Sequence, residues 1–359
     1  TAASMAAGMA AGATAGTAAS MAAGMAAGAT AGTAASMAAG MATGAAAGMA
    51  AGTVAGATAG ASGVVYQPSA PRSARRQIEL PASQVILAPG HSARDTFAML
   101  AAAGLAMAPK PFSLGVRIEH SQAWLDHRQY GAYAGHPALG AADYQLVCHL
   151  PGGRSVYSFC ACPGGRVVAA ASEAGGLVTN GMSDYRRDGP RINSALLVGV
   201  SPADYPAGPL GGVAFQRTYE RLAFIAGGES YQAPAQYAAD FLAGQASESI
   251  TPADATYRPG VRPADLAGCL PDFVVAALRA ALPVFAGQLP GFLSLDAVLT
   301  GVESRSSSPL RIWRGPDCQS GLRGLYPCGE GAGYAGGIMS AAADGIRCAQ
   351  ALIRSSALF

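Results

Sequence analysis

Residues 324–352, GLYPCGEGAGYAGGIMSAAADGIRCAQAL, constrain the fold more than any other part of the chain. A short apolar run leads into Gly329-Glu330, and a glycine-rich turn follows. Apolar residues then recur at helical spacing, namely Ile338, Ala342, Ile346, Ala349 and Ile353. The pattern predicts a strand, a turn almost without side chains, and a helix whose free N–H groups favour an electron-rich ligand. A tight structural connection would show the same glycines. The Glu330 carboxylate favours a ligand site, predicted to comprise Gly329, Glu330, Gly331, Gly336, Gly337 and Ile338.

A low-complexity array occupies the other end of the chain. The unit TAASMAAGMAAGATAG of residues 1–16 recurs unchanged at 17–32 and with changes at 33–48, and the pattern decays by residue 60. Glycines in each unit disfavour a helix interior by roughly 1 kcal/mol each, and alanine methyl groups return little free energy on burial. We therefore predict that residues 1–63 are disordered. A membrane element or a self-associating helix is the alternative.

Composition argues against several classes of function. All 23 basic and 21 acidic residues lie at or after Arg72, the net charge is +2, and the basic residues are scattered, so no nucleic-acid partner is expected. The array lacks the features of a secretion signal and of a membrane helix, so no membrane partner is expected. Seven cysteines without a CxxC pair indicate a reducing intracellular compartment, either cytoplasm or an organelle stroma. The five histidines are dispersed, and no metal site is predicted.

A second strand-turn-helix unit begins at Val85–Ala88, a run with the apolar character of a buried parallel strand. Ser92 and Asp95 have the spacing of a capping box, which predicts a helix from there to about residue 104. Gly90, His91 and Ser92 are thereby predicted at the carboxyl end of a strand, where α/β sheets bind ligands. His91 is the best acid-base candidate, and a hydrogen bond within the turn is its structural alternative.

The middle of the chain has mainly strand periodicity. Residues 112–119 alternate strictly between apolar and polar side chains, which predicts a half-exposed antiparallel strand. Further strands are predicted at 155–161, 166–171 and 195–200, and helices at 213–226, 234–243 and 272–286. The predicted fold class is α/β with an α+β insertion.

Six strings resemble, in order, the signatures of an uncharacterised family of FAD-dependent dehydrogenases, or NAD(P)/FAD-dependent oxidoreductases. They are APGHSARDTF (88–97), KPFSLGVRIEHSQ (110–122), YSFCACPGG (157–165), TNGMS (179–183), TGVESRSSSPLRI (300–312) and GLYPCGEGAGYAGGIMSAA (324–342). The resemblance implies FAD as the cofactor, with Gly329-Glu330 at its ribityl chain. It also implies that the helix after Gly336-Gly337 points at the isoalloxazine ring. A small-molecule substrate is implied, with NAD(P)H as a candidate electron donor.

The resemblance also implies a domain organisation. A partial FAD-binding domain at 64–109 is interrupted by a β-rich and helical substrate domain at 110–320, and it returns at 321–359 with a terminal helix. The family's first strand and GxGxxG pyrophosphate loop would lie upstream of His91, where this sequence has the array. We therefore expect the C-terminal and substrate-domain portion of such a protein.

Two cysteines are further catalytic candidates. Cys160 and Cys162 precede a Pro-Gly-Gly turn, and they are either a flavin-linked thiol pair, a metal pair, or two small buried residues of a turn. Charged residues alternate along predicted strands, Glu303 with Arg305 and Arg117 with Glu119. Each pair is expected to be an ion pair on an exposed face, with a substrate clamp as the alternative.

These observations predict an FAD-dependent oxidoreductase of unknown substrate, with His91, Cys160 and Cys162 as catalytic candidates. The alternative is a non-catalytic remnant that acts as a binding or structural module after losing the cofactor. A weaker third hypothesis is an assembly or membrane-tethering protein whose association depends on the array.

Overall fold

The computed structural model describes residues 49–55, 63–68 and 78–356. Three strands stand first in the chain: β1 (Met49–Ala55), β2 (Gly63–Pro68) and β3 (Ile78–Pro81). β1 lies within the segment 1–63 that the sequence predicts to be disordered, and most of that segment lies outside the described residues. The remainder of the fold is built from residues 79 onward.

A seven-stranded mixed sheet forms the centre of the fold. In spatial order its strands are β13 (Val261–Pro263), β12 (Ala233–Tyr237), β14 (Val298–Glu303), β6 (Phe112–Ser121), β11 (Arg191–Val200), β8 (Ser155–Cys162) and β7 (Val147–His149). β12 and β13 are parallel, and the other neighbours are antiparallel. The strands predicted near residues 155 and 195 are confirmed as β8 and β11.

The central strand β6 is buried on both faces, so the prediction of a half-exposed strand is wrong. Its apolar residues enter the main core, as the alternation indicates. Its polar residues, including Arg117 and Glu119, are covered as well, in part by a hairpin of β9 (Gly165–Ala169) and β10 (Thr179–Ser183). The alternation therefore identified the two faces of the strand correctly, but it could not show what covers the polar one.

Six helices complete the described part of the chain. They are α1 (Arg94–Ala102), α2 (Gln122–Tyr130), α3 (Gly211–Ala226), α4 (Ala238–Ala243), α5 (Asp272–Gln288) and α6 (Ile338–Ser356). α3 and α5 confirm the helices predicted from residues 213 and 272. The helix predicted at 234–243 is wrong in its first half, because residues 233–237 are β12, which pairs with β13 and β14. Pairing inside the sheet outweighs the local helical pattern there.

Two small two-stranded sheets pair the part of the chain before β6 with the part after β14. β4 (Val85–Leu87) pairs in parallel with β16 (Leu325–Pro327), and β5 (Met107–Pro109) pairs antiparallel with β15 (Leu310–Ile312). β4 confirms the predicted parallel strand but not its predicted burial, because Ile86 is 42% exposed, and α6 confirms the predicted terminal helix. The pairing of β4 with β16 brings together the two strand-turn-helix units that the sequence shows far apart.

The predicted capping box at the start of α1 is absent. The residue before α1 is Ala93, and it makes no side-chain capping bond. Asp95 accepts instead from the N–H of Thr96, and Ser92 Oγ accepts from Arg305 Nη1 at 3.0 Å. The Ser92 hydroxyl, which the local spacing predicts to cap α1, therefore bonds to Arg305, a residue far away in the sequence.

Candidate functional site

The turns that follow β4 and β16 meet through His91 and Glu330. His91 Nδ1 lies 2.9 Å from Glu330 Oε1, and the two side chains are 24% and 22% exposed. Both turns stand at the carboxyl ends of neighbouring parallel strands, which is where α/β sheets bind ligands. The structure therefore joins two clusters of predicted site residues in one partly exposed pair.

The backbones of the two turns are in direct contact. A Cβ atom at Gly331 would overlap the carbonyl group of Gly90, so this approach requires glycine. Gly90 itself has a φ of 74°, in the left-handed region that favours glycine. Ser308 Oγ donates to the Gly331 carbonyl at 3.0 Å, and the N–H of Gly329 donates to Asp344 Oδ2 at 2.8 Å. Close packing thus fixes the turn after β16 from both sides.

Residues 331–336 have the spacing GxGxxG between a strand and a helix, a feature that the sequence reasoning above does not weigh. The structure shows that two of these glycines serve internal packing. Gly331 contacts Gly90, and a Cβ atom at Gly333 would lie 2.5 Å from the carbonyl oxygen of Leu310. Protein backbone therefore lies where a Cβ atom would stand at these two positions, so close packing accounts for both glycines.

Open space lies instead at the start of α6. No heavy atom lies within 4 Å of an ideal Cβ at Gly336 or Gly337. α6 begins at Ile338, whose side chain is exposed, and the first N–H groups of a helix have no partners inside the helix. Of the predicted ligand residues, these three border free space at a helix N-terminus.

Ser92 belongs to a buried charged cluster behind the turn. Arg305, which donates to Ser92, also binds Glu220, and Glu220 accepts from Arg94 at 2.6 Å and 2.8 Å. Arg94, Glu220 and Arg305 are all almost fully buried. Ser92 therefore links the turn that carries His91 to helix α3 through Arg305 and Glu220.

Lys110, the single lysine of the chain, is a site residue that the sequence reasoning missed. Its Nζ lies 3.4 Å from each of the carbonyl oxygens of Pro111 and Ser308, which are long bonds for an ammonium group. Burial and the nearby Arg311 lower the pKa of Lys110, and the Glu330 carboxylate opposes this shift. Its position directly before a predicted strand gave no signal of a role.

The two catalytic cysteine candidates have different environments. Cys160 is exposed with a φ of 47°, a strained conformation for a residue with a side chain, whereas Cys162 is buried. Burial raises the pKa of both thiols; the Glu303 carboxylate adds to the shift at Cys160, and Arg117 opposes it at both. The Glu330 carboxylate makes a smaller contribution that also raises the pKa of Cys160.

Arg117 pairs with Glu303 instead of the neighbouring Glu119, and the prediction of ion pairs on exposed faces is wrong. Arg117 Nη1 lies 3.1 Å from Glu303 Oε2, and both side chains are buried. Arg117 also donates to the Cys160 carbonyl at 3.2 Å and contacts Cys162 Sγ at 3.6 Å. Arg305 with Glu220 is likewise a buried pair.

In the described residues no group of His, Cys, Asp or Glu is arranged to hold a metal ion.

Two cavities lie on either side of Tyr157 in β8. One of about 600 Å³ is bordered by residues 143–147 and 157–161, and it includes Cys160. The other, of about 590 Å³, is bordered by residues of β6, β8 and β11 and by Ser307, next to the Ser308 that binds Gly331. A larger cavity of about 700 Å³ includes Thr256, which binds Glu119 near the far end of β6. The cavity that includes Ser307 is therefore the one linked to the turn after β16.

The sheets define a mixed α/β protein, and its paired turns place the predicted ligand residues at the ends of parallel strands. A family model described as FAD-dependent protein, C-terminal domain-like, matches residues 111–306, more than half of the chain. The chain therefore belongs to this family of FAD-dependent proteins. The resemblance to an FAD-dependent family is confirmed, and the dehydrogenase class stays a prediction.

An uncharacterized protein of Clostridium beijerinckii is similar to this chain, with 48% identity over 272 residues. The similar region covers 75% of this chain and 51% of the relative, so the chain spans about half the length of that protein. Among the helices that the structure describes, none combines the length and apolar character needed to cross a membrane.

Proposed function

We propose that this protein is an FAD-dependent oxidoreductase whose paired turns hold the ring and ribityl end of FAD. The observation that carries the proposal is the contact between the turns, in which His91 and Glu330 meet at 2.9 Å beside the N-terminus of α6. A carboxylate, an imidazole and a helix N-terminus at one exposed edge form a set of groups that can bind a polar ring and a sugar chain.

The residues present fit this end of the cofactor. Gly336 and Gly337 leave space at the first turn of α6, whose dipole favours negative charge. Glu330 can accept hydrogen bonds from sugar hydroxyls. Gly331 and Gly333 are packed against protein backbone, so internal packing already explains these two glycines. The proposal is therefore limited to the ring and ribityl part.

Bound FAD would supply hydride exchange with the substrate. His91 would hold or release a proton at Nε2, because its Nδ1 faces Glu330. Lys110 would stabilise negative charge beside Glu330, since its ammonium makes only two long bonds. Cys160 would remain a neutral thiol that donates a hydrogen bond, because a thiol with a raised pKa is rarely a thiolate at neutral pH and gives up its proton reluctantly. We assign Cys162 a positioning role through its contact with Arg117.

A small-molecule substrate would occupy the cavities at Tyr157. The Tyr157 hydroxyl and Ser113 Oγ are 2.7 Å apart, which gives these cavities a polar centre next to an aromatic ring. NAD(P)H stays a proposed electron donor. A reducing compartment is supported by the seven free cysteines, three of which (Cys318, Cys328 and Cys348) pack in one buried cluster without a disulfide.

Flavin titration of the full chain tests the proposal. We expect FAD, FMN and riboflavin to bind with affinities within about tenfold of one another, because the described contacts are to the part that all three share. ADP should not compete. Gly337→Val should abolish binding without lowering the melting temperature of the apoprotein, since the added side chain meets no protein atom. Glu330→Gln should weaken binding about tenfold by removing a charge-assisted hydrogen bond.

Gly345→Val is the matched control, because Gly345 lies in the same helix and also has free space around it. It should leave flavin affinity unchanged. Binding of ADP in preference to riboflavin, or equal flavin affinity in the wild type and in Gly337→Val, would contradict the assigned site. Complete absence of flavin binding would favour the non-catalytic module.

A further inference from the structure

The cavity that includes Cys160 has two aromatic walls. It has a volume of about 600 Å³ and is bordered by residues 143–147 and 157–161. The ring centroids of Tyr157 and Phe159 are 6.4 Å apart with the ring planes at 89°, and both residues are partly exposed. Two rings at a right angle form a corner in which one group can contact both π systems. We call this space the Tyr157–Phe159 cavity.

Strand pairing brings the two rings and a carboxylate to the same cavity. Tyr157 and Phe159 are two residues apart in β8, so their side chains lie on one face of the sheet. The segment before β7 runs alongside β8, because the N–H of Ser158 donates to the Leu146 carbonyl at 2.9 Å and the N–H of Leu146 donates to Ser158 Oγ at 2.7 Å. This segment places the exposed Asp143 at the border of the cavity.

The negative charge of Asp143 is not balanced by a basic neighbour. Residues 143–147 and 157–161 include no Lys, Arg or His, and Asp143 is the one carboxylate among them. Gln129 donates to the backbone carbonyl of Asp143, whereas the carboxylate has no hydrogen-bond or ion-pair partner in the part of the chain that the structure describes. Arg117 donates to the Cys160 carbonyl at 3.2 Å, but it is paired with Glu303 at 3.1 Å. The cavity therefore favours positive charge.

We propose that the Tyr157–Phe159 cavity binds an organic ammonium group, which makes an organic amine the substrate class of this protein. The cation would lie in the corner between the two rings, whose faces attract positive charge, with the Asp143 carboxylate at the rim. An anionic ligand would meet the same ring faces and carboxylate without a basic partner. A neutral ligand would gain the ring contacts but no charge interaction. The role as substrate rests on the proposed function, whereas the binding of the ammonium group does not.

Titration calorimetry of the full chain without added flavin tests the proposal. The probes are choline and its neutral isostere 3,3-dimethylbutan-1-ol, in which carbon replaces the charged nitrogen. We expect choline to bind at least about tenfold more tightly, because only the cation is attracted by the ring faces and the carboxylate. Asp143→Asn should weaken choline binding about three- to fivefold, less so at high ionic strength, and leave the alcohol unchanged. Asp188→Asn is the matched control, because Asp188 is an exposed aspartate that does not border the cavity, and it should have no effect.

Phe159→Leu tests the aromatic wall. Leucine keeps an apolar side chain but removes the ring face, so choline binding should weaken about two- to fivefold while binding of the alcohol changes little. Tyr133→Leu is the matched control, because Tyr133 is 70% exposed and does not border the cavity. Thermal melts verify that each variant folds. Asp143→Asn keeps the test decisive if Phe159→Leu does not fold, because Asp143 is exposed.

Three results would overturn the ammonium site. They are equal binding of choline and its isostere, tighter binding of benzoate than of choline, and a choline affinity that neither Asp143→Asn nor Phe159→Leu changes. A separate titration with FAD distinguishes this proposal from the proposed function. Choline binding without flavin binding would refute the oxidoreductase and leave the ammonium site supported. Flavin binding without choline binding would refute the ammonium site and leave the oxidoreductase supported.

Discussion

Replacing Glu220 by glutamine tests whether the buried cluster behind the His91 turn stabilises the fold. Glu220 accepts hydrogen bonds from Arg94 at 2.6 and 2.8 Å, from Arg305 at 2.8 and 3.0 Å, and from Ser304 at 2.6 Å. Glutamine removes the negative charge between two buried arginines and turns an NH₂ group toward their donors. Loss of one partner of a buried pair costs about 3–5 kcal/mol.

We therefore expect Glu220→Gln to lower the free energy of unfolding by about 3–5 kcal/mol and the melting temperature by roughly 10 °C. Urea unfolding followed by circular dichroism measures the first quantity, and a thermal scan measures the second. The control is Glu229→Gln, because Glu229 is 59% exposed and lies 3.6 Å from an equally exposed Arg221. That change should stay within about 0.5 kcal/mol of the wild type.

The pH dependence gives an independent check on Glu220. Burial raises its pKa, but the hydrogen bonds and charges of Arg305 and Arg94 outweigh burial and lower the pKa below its ordinary value. A lowered pKa contributes stability that is present above the unfolded-state pKa of about 4.3 and is lost as the pH falls through the folded-state pKa. The difference in stability between wild type and Glu220→Gln should therefore shrink below about pH 4. Equal stability of the Glu220 and Glu229 variants at pH 7 would refute the assigned role of the cluster.

Two further outcomes follow from the contacts of the site. Gly331→Ala should destabilise the protein by about 1–3 kcal/mol in urea unfolding, because its Cβ atom would overlap the backbone of the neighbouring turn. Gly336→Ala should be close to neutral, because a Cβ atom at that position meets open space. Equal effects of the two changes would show that the turns are not in contact. Acylation of Lys110, followed at pH 8 by peptide mass spectrometry, should be about two- to fivefold faster in Glu330→Gln, because this carboxylate raises the pKa of Lys110. Arg311→Gln should slow the same reaction, since Arg311 lowers that pKa, and a change in the opposite direction for either variant would place Lys110 away from the pair.

The sequence by itself determined the local elements and the family. A short apolar run followed by glycine and then helical spacing predicts β4 with α1 and β16 with α6, because backbone freedom at glycine and side-chain period are local properties. Ordered motifs along the chain likewise predicted an FAD-dependent family, which the match to residues 111–306 confirms. The sequence also identified Glu330 and His91 separately as site candidates, each from its place at a strand end.

Tertiary structure alone decided which of these residues meet and what covers each face. The parallel pairing of β4 with β16 places His91 against Glu330, and no local pattern records a pairing between strands so far apart in the chain. The lack of long-range information in a local pattern also explains two wrong predictions. Alternation in β6 shows that the strand has an apolar and a polar face, but not that a hairpin buries the polar face. Ser92 has the spacing of a helix cap, but its hydroxyl bonds to Arg305. The isoleucines of α6 are the reverse case, because their helical period predicts burial while Ile338, Ile346 and Ile353 are exposed. Periodicity reports the faces of one element, and only long-range packing determines what each face contacts.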